Sequence, residues 1–252
     1  MAVSEVAPWP EDAAALVGSG LAERELVEPE QAPAEPLQER SPLAEAVVWL
    51  ASPWRRALKR GIDLILSILG LIVLLPLLLV TAAAVRLTSA GPVLFTQDRI
   101  GRDGRPFKMF KFRSMYRDAH GMRAELTHLN EATGPIFKIR ADPRITPVGR
   151  LIRKLSIDEL PQLINVLKGD MALVGPRPPL PEEYELYGPW ERQRVSVTPG
   201  ITCIWQVSGR SNLDFDTWVE MDLEYIRRWS FWLDLKLLLL TIPAVISARG
   251  AF

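Results

Sequence analysis

Residues 62–85 read IDLILSILGLIVLLPLLLVTAAAV, from Ile62 to Val85, with Asp63 as the only charge. A helix of these 24 residues is long enough to cross a hydrocarbon core of roughly 30 Å. This stretch decides the fold class, because it anchors the chain in a membrane and the rest must be arranged around it. Two features argue against a simple spanning helix. Pro76 stands in the middle, where proline removes a backbone hydrogen bond and favours a kink. Both flanks are also basic, with Arg55, Arg56, Lys59 and Arg60 before the segment and Arg86, Arg99, Arg102, Arg105, Lys108, Lys111 and Arg113 after it. Positive charge is retained on the cytoplasmic side. The symmetry therefore predicts a re-entrant helix over residues 55–88, broken at Pro76, with both ends cytoplasmic.

Upstream, residues 1–50 hold ten carboxylates against Arg24 and Arg40. They are rich in Ala, Pro and Glu and show no sustained apolar period, so they bury too little surface to offset chain entropy. The expectation is a disordered acidic tail, without the basic start and early apolar run of a signal peptide. The whole chain balances 30 basic against 30 acidic residues, which leaves the part after the tail at a formal charge of about +8 and suited to anionic partners. Of the 252 residues, enough remain for one catalytic-sized domain over residues 89–252. The single Cys203 excludes an internal disulfide and a cysteine-cluster metal site. His120 and His128 stand among polar neighbours and read as exposed helix residues rather than zinc ligands. Catalysis then falls to carboxylates and basic groups.

Downstream, residues 92–112 alternate around Asp103-Gly104, a dipeptide suited to a tight turn, and read as a β-hairpin. Helices are expected over residues 116–129, 158–167 and 213–229, the last with an apolar stripe of Phe215, Val219, Ile226 and Trp229 that Asp222 interrupts. Residues 231–246 are apolar but carry Asp234, Lys236 and Pro243, a pattern that fits a helix at the membrane interface. The predicted class is mainly α with a small β-hairpin, a catalytic domain lying on one leaflet.

The densest chemical signal runs Arg153-Lys-Leu-Ser156-Ile-Asp158-Glu159-Leu-Pro161-Gln162, followed by Asn165 and Gly175-Pro176-Arg177-Pro178. Pro161 belongs in a helix's first turn, which places Asp158 and Glu159 at a helix N-terminus, a natural seat for phosphate. A purely structural alternative is a capping box from Ser156 to Glu159. The nearby Arg153 and Arg177 tilt the balance towards phosphate chemistry, since guanidinium forks match phosphate oxygens. A carboxylate that attacks phosphorus needs such a neutralising surround, and a Mg²⁺ ion would be held by a carboxylate, Asp158, together with substrate phosphates. Lys111 and Arg113, both candidate substrate-binding residues, end the hairpin on one strand face, interleaved with Phe110 and Phe112. Such interleaving also occurs in single-stranded nucleic-acid sites, but the patch is short and beside a membrane segment, so no nucleic acid is expected. Asp142-Pro-Arg144-Ile-Thr146 reads as a self-bonded turn. Gly200 and Gly209 bracket a short apolar strand, with Gln206 and Arg210 as candidate contacts to a sugar or nucleotide.

Taken in order, these motifs resemble the bacterial sugar transferase family, the monotopic polyprenyl-phosphate phosphoglycosyl transferases. The likeness runs from Lys59 to Phe252. It includes Lys59-Arg60 with Asp63, Gly91-Pro92-Val93 with Phe95, Gln97 and Arg99, Lys111 to Met115, Asp142 to Thr146, Asp158 to Gln162, Asn165-Val-Leu, Val174 to Pro178, Pro199 to Thr202, Trp205-Gln-Val and the ending Gly250-Ala-Phe252. The resemblance implies a re-entrant helix broken at Pro76, a catalytic Asp158-Glu159 pair, Mg²⁺ dependence, and phosphate neutralisation by Arg153, Arg177 and Lys111. It implies attack by the aspartate on the β-phosphorus of a UDP-sugar, release of UMP, and transfer of the phosphosugar to polyprenyl (undecaprenyl) phosphate. The expected partners are thus a UDP-sugar, polyprenyl phosphate and membrane lipid, with a homodimer as a further candidate, at the cytoplasmic face of a bacterial inner membrane. The pattern departs at Leu75, where some relatives have serine, at Cys203, where many have glycine, and at Phe252 in place of a tyrosine. The long C-terminal part points to a hexose-1-phosphate as the transferred group. The rival readings are a glycosyltransferase that moves the sugar alone and a catalytically idle scaffold of a polysaccharide assembly complex.

Overall fold

Leucine, a strong helix former, dominates the anchor segment. In the computed structural model, which describes residues 52–119, 121–123, 125–131, 134–209 and 213–248, it forms one helix, α1 (Pro53–Thr88), started by a proline in its first turn. The acidic tail lies outside the described residues. Pro76 sits inside α1 with helical backbone on both sides, so the break expected there does not interrupt the helix. At 1.5 Å per residue a straight helix of this length is about 54 Å long, well beyond a roughly 30 Å hydrocarbon core. One narrow face is buried at Asp63, Ser67, Thr81 and Val85, and Gly70 on the same face admits the Leu163 side chain. The other face exposes Ile65, Ile72, Val73, Leu79 and Val80, each more than half accessible. An apolar strip of that extent belongs in lipid. Among the described residues α1 is the one helix long and apolar enough to cross a membrane.

The hairpin forms as the Asp-Gly signal predicts. Strands β1 (Leu94–Ile100) and β2 (Pro106–Phe112) pair antiparallel from Leu94↔Phe112 to Ile100↔Pro106. Asp103 (φ 58°) and Gly104 (φ 76°) supply the left-handed turn. The helix expected over residues 116–129 does not form. Met115 bridges Ile145, and the Tyr116 amide bonds the Arg144 carbonyl at 2.9 Å, so the backbone leaves β2 extended, and the helical turns among the described residues that follow are the 3₁₀ turns Gly121–Arg123 and Thr127–Leu129.

Helix α2 (Pro147–Lys154) starts at Thr146, whose hydroxyl accepts the Gly149 amide at 2.9 Å. Helix α3 (Gln162–Lys168) ends at Gly169 (φ 93°). Beyond the expected hairpin there is a second small sheet, in which β3 (Ala172–Val174) pairs parallel with β4 (Gly200–Thr202). Its glycines are obligatory, because a Cβ on Gly200 would lie 2.0 Å from the Gly175 nitrogen. Short helices α4 (Pro181–Glu185) and α5 (Pro189–Arg192) precede β4, and α6 (Ile204–Ser208), α7 (Phe215–Arg228) and α8 (Phe231–Ser247) follow it. The core closes around Val166, Met171, Val174, Cys203, Val219, Leu223 and Leu237. A smaller cluster of Val85, Phe112 and Ile152 seats the C-terminal half of α1. The fold is mainly helical, as expected. Asp234 of α8 joins the inner side of the structure, 2.6 Å from Lys59, 2.8 Å from the Tyr225 hydroxyl and 3.1 Å from the Trp229 indole nitrogen, whereas Trp232, Leu239, Ile242 and Ile246 face outward.

Candidate active site

Seven residues separate α2 from α3, and among them Ser156 turns the chain by adopting a left-handed conformation (φ 54°, ψ 19°). The 3₁₀ turn Ile157–Glu159 that follows aims the acidic pair at β2. The capping box is not formed: Ser156 makes no side-chain cap bond, and Glu159 reaches forward. Helix α3 also starts later than predicted, since Pro161 stands just before it. The positive character around the acidic pair therefore comes from side-chain cations and not from a helix end.

Glu159 Oε1 accepts from Lys111 Nζ at 2.8 Å and from Arg177 Nη2 at 3.2 Å. Burial pushes the Glu159 carboxyl up, but Lys111 and Arg177 outweigh it and hold the group well below the usual carboxylate range. Burial pulls Lys111 below the usual amine range, and Glu159 resists that fall. Glu159 is thus a fixed anion that clamps one cation from β2 and one from the segment after β3. Its neighbour differs. Asp158 is 7% exposed, lies on a cavity wall and accepts no hydrogen bond or ion pair among the described residues. Burial raises its carboxyl, Lys111 opposes, Glu159 reinforces, and the group is pushed up to about 6. One carboxylate is spent on structure and the other is open.

The cavity measures about 520 Å³, within the range of small-molecule sites. It gathers Lys111, Arg113, Arg153, Asp158, Glu159, Arg177 and Gln206 of the predicted set. Arg210 lies outside the described residues, and Pro76 is on the exposed face of α1. Arg113 reaches the wall largely occupied, for it donates to the Ser89 carbonyl at 2.7 Å, to Ser89 Oγ at 2.8 Å, and to Pro92 O, so it ties off the end of α1. Asp142 and Arg144 form the expected turn through paired bonds of 2.9 and 2.6 Å, yet Arg144 also faces the cavity.

Further cations on the wall, Arg99 and Arg194 among them, were missed by sequence reading. Arg99 is fixed by Gln97 Oε1 at 2.8 Å and by the Pro178 carbonyl at 3.0 Å, and burial together with nearby Arg177 lowers it to about 10, still charged at neutral pH. Arg194 pairs with Asp222 at 2.6 Å and donates to the Tyr187 hydroxyl at 3.0 Å. Its signal was present in the sequence, because a carboxylate such as Asp222 on an apolar helix face demands a buried cation. Trp205 and Trp218 stack with centroids 4.2 Å apart on the same wall. So many cations around one open carboxylate suit a diphosphate substrate. Among the described residues no group of three or more metal-ligating side chains occurs. The open Asp158 fits an ion shared with substrate phosphates, the usual arrangement for Mg²⁺.

The profile of the family described as Bacterial sugar transferase matches residues 54–248. The chain is 48% identical over 194 residues to the galactosyl transferase CpsE of Streptococcus agalactiae, covering 77% of this chain and 43% of that one. It is 43% identical over 211 residues to the undecaprenyl-phosphate galactose phosphotransferase of Salmonella typhimurium, covering 81% and 43%. The exopolysaccharide production protein ExoY of Sinorhizobium fredii is 39% identical over 198 residues, covering 77% of this chain and 88% of that protein. The chain thus spans less than half the length of the first two relatives and nearly all of the third.

Proposed function

The chain belongs to the bacterial sugar transferase family, and from that premise we propose that it transfers a sugar-1-phosphate from a UDP-sugar to polyprenyl phosphate, undecaprenyl phosphate in bacteria, as a first step in building a surface polysaccharide. The observation that carries this reading is the division of labour in the acidic pair: Asp158 open to the cavity, Glu159 locked between Lys111 and Arg177.

In the proposed sequence the sugar diphosphate lies with its phosphates among Lys111, Arg153 and Arg177. A carboxylate oxygen of Asp158 bonds to the β-phosphorus as the bond from that phosphorus to the bridging oxygen breaks, and UMP leaves with the electron pair. Lys111 and Arg177, already fixed by Glu159, meet the charge that develops on the leaving oxygen without reorganising. A phosphate oxygen of the polyprenyl acceptor then attacks the same phosphorus and returns the Asp158 carboxylate, which leaves polyprenyl-diphosphate-sugar. A Mg²⁺ ion, held by Asp158 together with the substrate phosphates, would add Lewis-acid withdrawal of charge. With a carboxyl near 6, Asp158 is mostly ionised at neutral pH while poorly solvated, a fitting state for a nucleophile.

The same reading places α1 in one leaflet with both ends cytoplasmic. Its support is that buried positions on α1 run from Asp63 to Val85, on both sides of Pro76, against one domain, and that both flanks are basic. Pro92 and Arg113 on the cavity wall stand next to the C-terminal end of α1, where Arg113 ties Ser89 and Pro92, which supports approach of a lipid-borne phosphate from the membrane side. The test is UMP release from a panel of UDP-sugars by solubilised protein with Mg²⁺ and undecaprenyl phosphate. Release with one or two hexoses that vanishes in Asp158→Ala supports the proposal. UDP as by-product would instead indicate transfer of the sugar alone, and silence with every sugar in folded, lipid-supplied protein would point to the scaffold.

A further inference from the structure

A second cavity of about 260 Å³ shares no lining residue with the first. Four cations, Arg56, Lys59, Arg60 and Arg102, border it against the single carboxylate Asp63. Two of the cations are committed within the protein. Lys59 is 2.6 Å from Asp234, and Arg60 donates to the Val166 carbonyl and, at 2.9 Å, to that of Leu167. The Arg56 guanidinium and the Thr198 hydroxyl, which also line the cavity, make no hydrogen bond or ion pair among the described residues. Arg102 meets only the exposed Asp103, at 3.3 Å, a pairing of the weak surface kind. The cavity thus has unspent donors and a net positive lining, the complement of a phosphate.

Its depth narrows the ligand further. Arg56 precedes Ile62, where the apolar run of α1 begins, by about one and a half helical turns. With the outer face of α1 in hydrocarbon, the placement on which this inference rests, the cavity lies at headgroup level. Its volume is below the roughly 300–1,000 Å³ of sites for larger ligands, enough for a phosphate and a few carbons and too small for a nucleotide sugar. We propose that this cavity binds the phosphodiester headgroup of an anionic phospholipid, with Arg56, Arg102 and Thr198 as donors. Its walls belong to elements that carry the active site. Arg60 caps the far end of α3, which follows Asp158 and Glu159, and Asp63 accepts the Leu173 amide of β3 at 3.3 Å, just ahead of Arg177. An occupant braces both.

The test titrates the solubilised full chain with glycerophosphoglycerol, a soluble headgroup, and in parallel with inorganic phosphate, following the melting temperature. The expected result is saturable stabilisation by glycerophosphoglycerol, at least tenfold weaker in apparent affinity in Arg56→Gln/Arg102→Gln and unchanged in Arg150→Gln, which removes an exposed cation away from both cavities. Inorganic phosphate saturating at the same concentration would overturn the lipid as source. A double variant that responds like the wild type, or an Arg150→Gln variant that loses as much, would overturn the site. UMP release is measured on the same samples, so a failure of the catalytic reading shows there and leaves the headgroup titration interpretable.

Discussion

Replacing Asp158 by asparagine should abolish turnover and at the same time make the protein more stable. In the folded chain burial holds this carboxyl near 6, whereas an unfolded aspartate titrates near 3.9. Ionising it at pH 7.5 therefore costs the folded state about 3 kcal/mol relative to the unfolded chain. Asparagine keeps the shape and removes that cost. For a domain of this size the gain corresponds to a rise in melting temperature of about 6–12 °C. Because the folded-state pKa is raised, the protonated wild type has its full stability at low pH and loses it as pH rises through about 6. The advantage of Asp158→Asn should accordingly shrink to about half by pH 5 and nearly vanish by pH 4. Scanning fluorimetry of both proteins in one detergent, from pH 4 to pH 8, measures this. A variant that melts no higher than wild type at pH 7.5, or a gain that persists on acidification, would refute the account of Asp158 as a carboxylate kept ionised against its surroundings.

Further expectations concern the frame around the site. Gly200→Ala brings a methyl 2.0 Å from the Gly175 nitrogen. It should destabilise the chain by roughly 3 kcal/mol or more and lower activity by moving Arg177, as thermal melts and UMP release would show together. Asp222→Asn leaves the buried Arg194 without its 2.6 Å partner and should cost about 3–5 kcal/mol in denaturant unfolding, most of it recovered in an Arg194→Met/Asp222→Leu double variant. In a Cys203→Ser background, cysteines introduced at Trp54 and at Asp103 should both react with a membrane-impermeant reagent only from the cytoplasmic side. Labelling of either from outside contradicts a re-entrant α1.

Much of the architecture was legible where one local signal dominates. The apolar run over residues 62–85 and the Asp103-Gly104 turn each translate directly into an element, since hydrophobic length and left-handed φ leave few alternatives. The region around residues 116–129 was misread because its helical spacing was outcompeted at its start by backbone bonds from Tyr116 to Arg144 and from Thr146 to Ser114, between segments distant in sequence. For the same reason the acidic pair could be recognised as a unit while its two roles could not. Only the fold brings Lys111 and Arg177 onto Glu159 and leaves Asp158 open. Arg113 looked like a phosphate ligand beside Lys111 but is turned to the end of α1. Asp222 looked like a defect in an amphipathic stripe, and it is the partner that fixes Arg194 on the cavity wall.

The most direct test of the central claim is to incubate the protein with a UDP-sugar labelled in its β-phosphate, without polyprenyl phosphate, and then quench and digest it. The account predicts about one label per active chain, released UMP in equal amount, the label on the peptide containing Asp158, and its discharge into lipid when undecaprenyl phosphate is added. Product formation with no labelled protein at any time, or a label that persists in Asp158→Asn, would contradict it.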